Sequence, residues 1–181
     1  MLSVDASMTE HRSPLTTSVV IPVRNGGELL LAQLEALSKQ VDAQPFEVII
    51  ADNGSTDGTA DAVRSFSAPY PLTLVDASRR SGASCARNVG AAAASGELLL
   101  FCDADDDVET DWVQSLQAAY LASDGAVVAG SLDLSRNPVD VLHAYGEPTP
   151  TEDGETEKML LDEAAAFAGL LPTVCSANFA V

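Results

Sequence analysis

Leu98-Leu99-Leu100-Phe101-Cys102-Asp103-Ala104-Asp105-Asp106-Asp107 sets an unbroken apolar run directly against four carboxylates in five positions. The run shows no alternation, so it reads as a central strand covered on both faces. The carboxylates at its end repel one another. A strand that carries them into a cleft is strained electrostatically unless a cation sits there. Mg²⁺ or Mn²⁺ takes one or two carboxylates plus phosphate oxygens and waters, and Asp103 and Asp105 can act from one short turn. An EF-hand loop is excluded, because Val108 stands where its glycine is required.

Outward from this strand the chain alternates strands and helices. Ser18–Ile21 is short and β-branched and reads as a buried strand, broken by Pro22 and by Asn25-Gly26-Gly27. Leu30, Leu34 and Leu37 follow at helical spacing. Glu47–Ala51 is a second buried strand, and Ser55 or Asp57 is placed to cap a helix through Ala62, Val63 and Phe66. Leu72–Val75 is a third strand, residues 83–94 a helix of small side chains, and Trp112, Leu116 and Tyr120 mark another helix. Ala126–Ala129 reads as a fifth strand, 135–157 as a long Pro- and acid-rich loop, 158–171 as a helix, and 175–181 as a last strand. The expected fold is α/β: a Rossmann-like single domain with a mostly parallel central sheet and helices on both faces. Such sheets bind ligands outside the carboxyl ends of their strands, at a topological switch point.

Composition narrows the function. The chain has 181 residues, room for one ordinary domain. Its 27 acids and 9 bases give a net charge of −18. Such a surface repels phosphate backbones and anionic lipid, so no nucleic acid is expected as a partner. Residues after position 100 hold 16 acids against two bases, Arg136 and Lys158. No stretch is long and apolar enough for an integral membrane segment, and residues 1–16 have no signal-peptide core and read as a flexible tail. Cys85, Cys102 and Cys175 lack metal-binding spacing and suggest small buried residues in a reducing, cytoplasmic setting. His11 and His143 are isolated. There is no Walker A sequence and no GxGxxG fingerprint, so phosphates must be held another way.

Four polar clusters follow strands and would share one rim: Arg24–Gly27, Asp52–Thr59, Gly82 with Arg87-Asn88, and Asp103–Asp107. Each has a purely structural reading too. Asn53-Gly54 and Asp57-Gly58 are turn dipeptides. Arg87-Asn88 fits a solvated helix face, Arg24 fits an ordinary surface position, and Trp112 fits a core anchor.

Taken in order, these clusters resemble the family 2 glycosyltransferases, inverting enzymes of the GT-A fold that use nucleotide-sugar donors. Ser18–Asn25 is similar to the family's opening strand and Pro-x-Tyr-Asn turn, with Gln40 where the following helix usually ends. Asp52–Thr59 is similar to its Asp-Asp-Gly-Ser-x-Asp-Gly-Thr block. Gly82, Ala86-Arg87-Asn88 and Gly90 resemble the next block, and Ser95-Gly96-Glu97 through Asp106 its strand and DxD motif. The resemblance implies that Pro22, Val23 and Arg24 line a base pocket, with Asn53 and Gly82 beside them. It implies that Asp52 accepts a hydrogen bond from the base and that Arg87 contacts base or diphosphate. Asp103 would hold the ribose or assist the metal, and Asp105 would be the principal ligand to Mn²⁺ or Mg²⁺.

Two departures matter at the donor side: Arg24 replaces the usual Tyr and Asn53 an Asp. At the other end, Cys175–Val181 resembles the family's Gly-Ala-Asn strand, and the family's catalytic base lies beyond it. Residues 17–181 are therefore expected to form a GT-A domain with the donor half complete and the acceptor part missing. The expected function is metal-dependent transfer, with inversion, from a nucleotide-diphosphate donor, usually a UDP-sugar. The acceptor is a glycan, a lipid or a small molecule, and the setting is cytoplasmic or peripheral at the inner face of a membrane. The alternative is a nucleotide-sugar-binding module that does not transfer. A phosphatase of the haloacid dehalogenase type also places DxD after an apolar strand. Asp107 stands where it needs Thr or Val, and Lys158 is the only downstream lysine.

Overall fold

The computed structural model describes residues 16–123, 128–129 and 179–180. The expected loop at 135–157, the helix at 158–171, most of the last strand, His11, His143 and Cys175 lie outside the described residues. The element order is β1 (Thr17–Val23), α1 (Gly27–Ser38), β2 (Phe46–Asp52), α2 (Thr59–Ser65), β3 (Leu72–Asp76), α3 (Ala83–Ala93), β4 (Leu98–Phe101), α4 (Trp112–Ala122), β5 (Val128–Ala129) and β6 (Phe179–Ala180).

The six strands form one sheet in the order β3-β2-β1-β4-β6-β5. β1 pairs parallel with β2 and β4, and β2 pairs parallel with β3. β6 runs antiparallel to β4 and β5. The chain builds outward from β1 through β2 to β3, then crosses to β4 on the other side of β1. The gap between β1 and β4 is thus the switch point where such folds hold ligands.

Period-2 alternation sorts the strand residues onto two faces. Val19, Ile21 and Val23 of β1 and Val48 and Ile50 of β2 pack with Leu30, Leu34 and Leu37 of α1 and with Trp112, Val113 and Leu116 of α4. Ala51 joins Ala77 and Ala86 in a smaller cluster with Val75 and Val89, on the face that α3 covers. α3 lies close to the sheet there. A Cβ built on Gly90 would collide with Val20 Cγ1 and sit 3.4 Å from Ala51 Cβ, so this helix carries glycine where it crosses β1. Helices therefore cover both faces.

Pro22 does not break β1, which runs on to Val23. β4 pairs with β1 only as far as Val20, so beyond that point the missing proline N–H leaves no ladder bond unmade on the β4 side. On the other side the ladder continues, with Asn53 N–H donating to Val23 O at 2.8 Å.

At the opposite end of the sheet, Glu47 Oε1 accepts from Ser18 Oγ at 2.7 Å, Ser95 Oγ at 2.6 Å and Ser95 N at 2.8 Å. Gly96 N–H donates to Ser18 Oγ at 2.8 Å. These bonds fix the turn that feeds β4.

Candidate functional site

The polar clusters after β1, β2, β3 and β4 do share one rim. They enclose a cavity of about 440 Å³, within the range typical of small-molecule sites. Pro22, Val23 and Arg24 line it from β1, Asn53 from β2, Gly82 and Arg87 from the start of α3, and Asp103 and Asp105 from the turn after β4. Every expected site residue except Asp52 is on its wall. Asp52 ends β2, and its Oδ1 accepts from Ser55 N–H at 2.8 Å. That bond closes a turn at the strand end. Asn53, one residue on, faces the cavity instead.

Asn53 is buried and its side chain ties down the loop between β3 and α3. Nδ2 donates to Ala77 O at 2.6 Å and Arg80 O at 2.8 Å, while Oδ1 accepts from Gly82 N–H at 2.8 Å. Gly82 adopts φ 126°, a conformation that L side chains rarely take, and leads directly into α3. The loop places Ser81 on the wall, where its Oγ accepts from Arg24 Nη1 at 3.3 Å.

The Asp52–Thr59 block works mostly as a clasp between two rim loops. Asn25, at φ 56°, donates its N–H to Ser55 Oγ at 2.8 Å and accepts from Thr56 N–H at 2.8 Å through Oδ1. Thr59 Oγ1 accepts from Gly26 N–H at 3.0 Å and Gly27 N–H at 3.3 Å and donates to Asp57 Oδ1 at 2.5 Å. The hydroxyl and N–H of Thr59 hold the Asp57 carboxyl below its ordinary value. Ser55 therefore does not cap α2. Gly58 occupies the N-cap position, and Asp57 takes the Thr59 N–H at 3.0 Å.

Three of the four carboxylates after β4 take different tasks. Asp103 Oδ1 pairs with Arg87 Nη2. The Arg87 side chain is only 12% exposed, which overturns its reading as a solvated helix face. Its Nε is buried with no hydrogen-bond partner. Asp106 turns inward and accepts the Asp103 N–H at 2.7 Å, and burial raises its carboxyl above the usual value. Asp105 stays exposed on the cavity wall, and no described residue hydrogen-bonds it. Gln33, fully buried in α1, supports the turn from below. Its Nε2 donates to Cys102 Sγ at 3.1 Å and its Oε1 accepts from Val108 N–H at 3.3 Å. Gln40 continues this support, donating to Glu109 O at 2.7 Å and accepting from Val113 N–H at 2.8 Å.

Spacing did not single out Ser81 or Gln33, nor show that the Arg24–Gly27 and Asp52–Thr59 clusters clasp each other. Ser81 follows a parallel strand, as the expected residues do, and the same rule would have reached it. Among the described residues no group of three or more His, Cys, Asp or Glu is arranged to hold a metal by itself. Two aspartates beside an open cavity match instead a divalent ion that draws its other ligands from phosphate and water. No described helix is long and apolar enough to cross a membrane.

Comparison with known proteins agrees with this geometry. The family model for glycosyl transferase family 2 matches residues 18–169. The chain is 38% identical over 143 residues to validoxylamine A glucosyltransferase of Streptomyces hygroscopicus subsp. jinggangensis (strain 5008), covering 75% of this chain and 33% of that protein. Among solved structures it is similar to S. aureus TarS 1–349 in complex with UDP-GlcNAc, at TM-score 0.58 and 28% identity over 66% of this chain and 35% of that one. It is also similar to the mannosyltransferase PcManGT from Pyrobaculum calidifontis in complex with GDP-Man and Mn²⁺, at TM-score 0.56 and 27% identity over 69% of this chain and 38% of that one. The chain spans 30–40% of the length of the first curated relatives it matches. A rim of this geometry on a 3-2-1-4 sheet, matched by the family model over most of the sequence, places the chain in glycosyl transferase family 2.

Proposed function

We propose that the cavity is the donor site of an inverting glycosyltransferase that takes a sugar from a nucleoside diphosphate, in the first instance a UDP-sugar. The observation that carries this reading is the convergence of Arg24, Arg87, Asp103 and Asp105 from three separate segments on one cavity at the β1/β4 switch point. Two cations and two acids around one cavity suit a ligand that is itself a diphosphate joined to neutral rings. The nucleotide-bound relatives TarS and PcManGT support the same class of ligand.

Each residue then has a task. Pro22 and Val23 give the base an apolar wall, and the Arg24 guanidinium can lie flat against a ring. Arg87 is held by Asp103 so that its guanidinium is fixed in place on the cavity wall before a ligand arrives. Preorganised donors of this kind stabilise charge as it develops on a leaving group. Asp105 and Asp103 would hold Mn²⁺ or Mg²⁺, which supplies charge neutralisation for the departing nucleoside diphosphate. Among the described residues, Asp103 and Asp105 are the only acids on the cavity wall, and both are committed to the donor side. That arrangement also favours a second reading, in which the described part binds a nucleotide sugar without transferring it. The acceptor, whether glycan, lipid or small molecule, belongs to the same proposal.

Thermal melts of the chain with UDP, GDP or dTDP, with and without Mn²⁺, test the donor site. A ligand at a hundred times its Kd adds about 2.7 kcal/mol, or roughly 5–10 °C for a chain of this size. Asp105→Asn should remove the part of the shift that depends on metal. A melting temperature unmoved by all three nucleotides with metal present refutes the reading. Acceptor-dependent release of nucleotide separates transfer from binding alone.

A further inference from the structure

We infer that Arg79 and Arg80 form a cationic lip that captures the anionic donor and speeds its entry into the cavity. The inference rests on the donor-site reading and adds a kinetic task for two residues that do not line the cavity. Six Lys and Arg occur among the described residues, against 15 Asp and Glu. Four of the six, Arg24, Arg79, Arg80 and Arg87, lie on the rim loops or at the head of α3. An acidic protein that must admit a nucleoside diphosphate opposes its own ligand at long range. Asp105, exposed on the cavity wall, adds to that opposition.

The β3–α3 loop is built to counter it. Arg79 and Arg80 are both exposed, and neither forms an ion pair with a described acid. Asp76, the nearest acid in sequence, accepts the Ser78 N–H at 2.8 Å. The loop itself is pinned by the Asn53 bonds to Ala77 O, Arg80 O and Gly82 N–H. The pair is thus carried by fixed backbone next to Ser81 and Gly82, which are cavity wall. Surface arginines in this chain are not needed for solubility, which the net charge of −18 already secures. Local cations of this kind raise association rates by focusing field lines at a cleft. Their reach is the Debye length, about 30 Å at 0.01 M and about 8 Å at 0.15 M ionic strength.

Stopped-flow binding of methylanthraniloyl-UDP and methylanthraniloyl-GDP to the 181-residue chain, at fixed Mg²⁺ and increasing NaCl, tests this. The wild-type association rate should fall steeply with salt. Arg79→Glu/Arg80→Glu should lower it about tenfold at the lowest salt, with convergence on wild type near 0.5 M. Its dissociation rate should change less than twofold. Arg79→Lys/Arg80→Lys should behave as wild type, because steering needs charge and not the guanidinium fork. An unchanged association rate and salt slope in the double Glu variant overturns the inference. So does an effect confined to dissociation, or one shared by the double Lys variant, since either means direct contact with the bound ligand. Absence of binding to wild type overturns the donor-site reading itself, and the lip falls with it.

Discussion

Gly90→Ala tests the packing that aims Arg87. Alanine is the better helix former by about 1 kcal/mol, so propensity alone predicts stabilisation. The structure predicts the opposite. The new Cβ would collide with Val20 Cγ1, lie 3.4 Å from Ala51 Cβ and 3.7 Å from Val20 Cβ. Val20 and Ala51 are both fully buried, on β1 and β2 near the middle of the sheet, and neither can withdraw. α3 must therefore lift, and overpacking of this kind costs about 1–3 kcal/mol. With the propensity gain of about 1 kcal/mol set against this cost, the net effect should be a loss of up to about 2 kcal/mol, read by urea unfolding, and a melting temperature lower by up to about 8 °C. Arg87 sits one turn earlier on the same helix, so nucleotide affinity should weaken as well. Val20→Ala opens the contested space. The Val20→Ala/Gly90→Ala pair should be less destabilised than the sum of the single changes, by about 1 kcal/mol. A Gly90→Ala chain more stable than wild type by the full propensity gain of about 1 kcal/mol, or a strictly additive pair, refutes the contact as the reason for glycine.

Other changes give separate readouts. Burial raises the Glu47 carboxyl, but hydrogen bonds from Ser95 and Ser18 outweigh it and hold the group below its usual 4.5. Its contribution is therefore present above that value and lost as pH falls through the lowered one. Glu47→Ala should cost about 1–3 kcal/mol at pH 7, and the gap from wild type should narrow in melts below pH 4. Thr59→Val keeps the shape but leaves the N–H groups of Gly26 and Gly27 without their acceptor, for a loss of about 1–3 kcal/mol in urea unfolding. Thr59→Ser should restore most of it. Cys102 is buried with a thiol pushed far up by burial, so a thiol reagent should leave it unmodified in the folded chain and label it only in denaturant, as peptide mapping will show.

The fold was largely legible because its signals are local. Unbroken apolar runs marked β1, β2 and β4 as covered strands, and 3.6-residue spacing marked α1 and α4. Pro22 was misjudged because its cost depends on where the neighbouring strand stops, which only the β1–β4 register shows. β5 and β6 fall within the strands expected at 126–129 and 175–181, but their antiparallel pairing with each other and of β6 with β4 is set by partners that a local pattern does not name.

The site was legible as a rim and not as a division of labour. Spacing says that a polar residue follows a strand; it does not say whether that residue meets a ligand or the next loop. Ser55 and Asn25 are 30 positions apart, and Arg87 and Asp103 are 16 apart, so their pairing is decided only when the strands align. The structure separates residues that line the cavity, Arg24, Arg87, Asp103 and Asp105, from residues that hold the walls, Gln33, Ser55 and Thr59. The two groups should fail differently. Removing Asp105 leaves every described hydrogen bond intact, so affinity falls without loss of stability. Removing Thr59 or Gln33 strands buried partners, so stability falls first and affinity follows. Asn53 belongs to both groups, since it lines the cavity and fixes three backbone groups of the loop that carries Arg80 and Ser81. Asn53→Ala should accordingly lower stability and affinity together. It is the position where an amide serves better than the aspartate more usual in the family, because only the amide can donate to Ala77 O and Arg80 O.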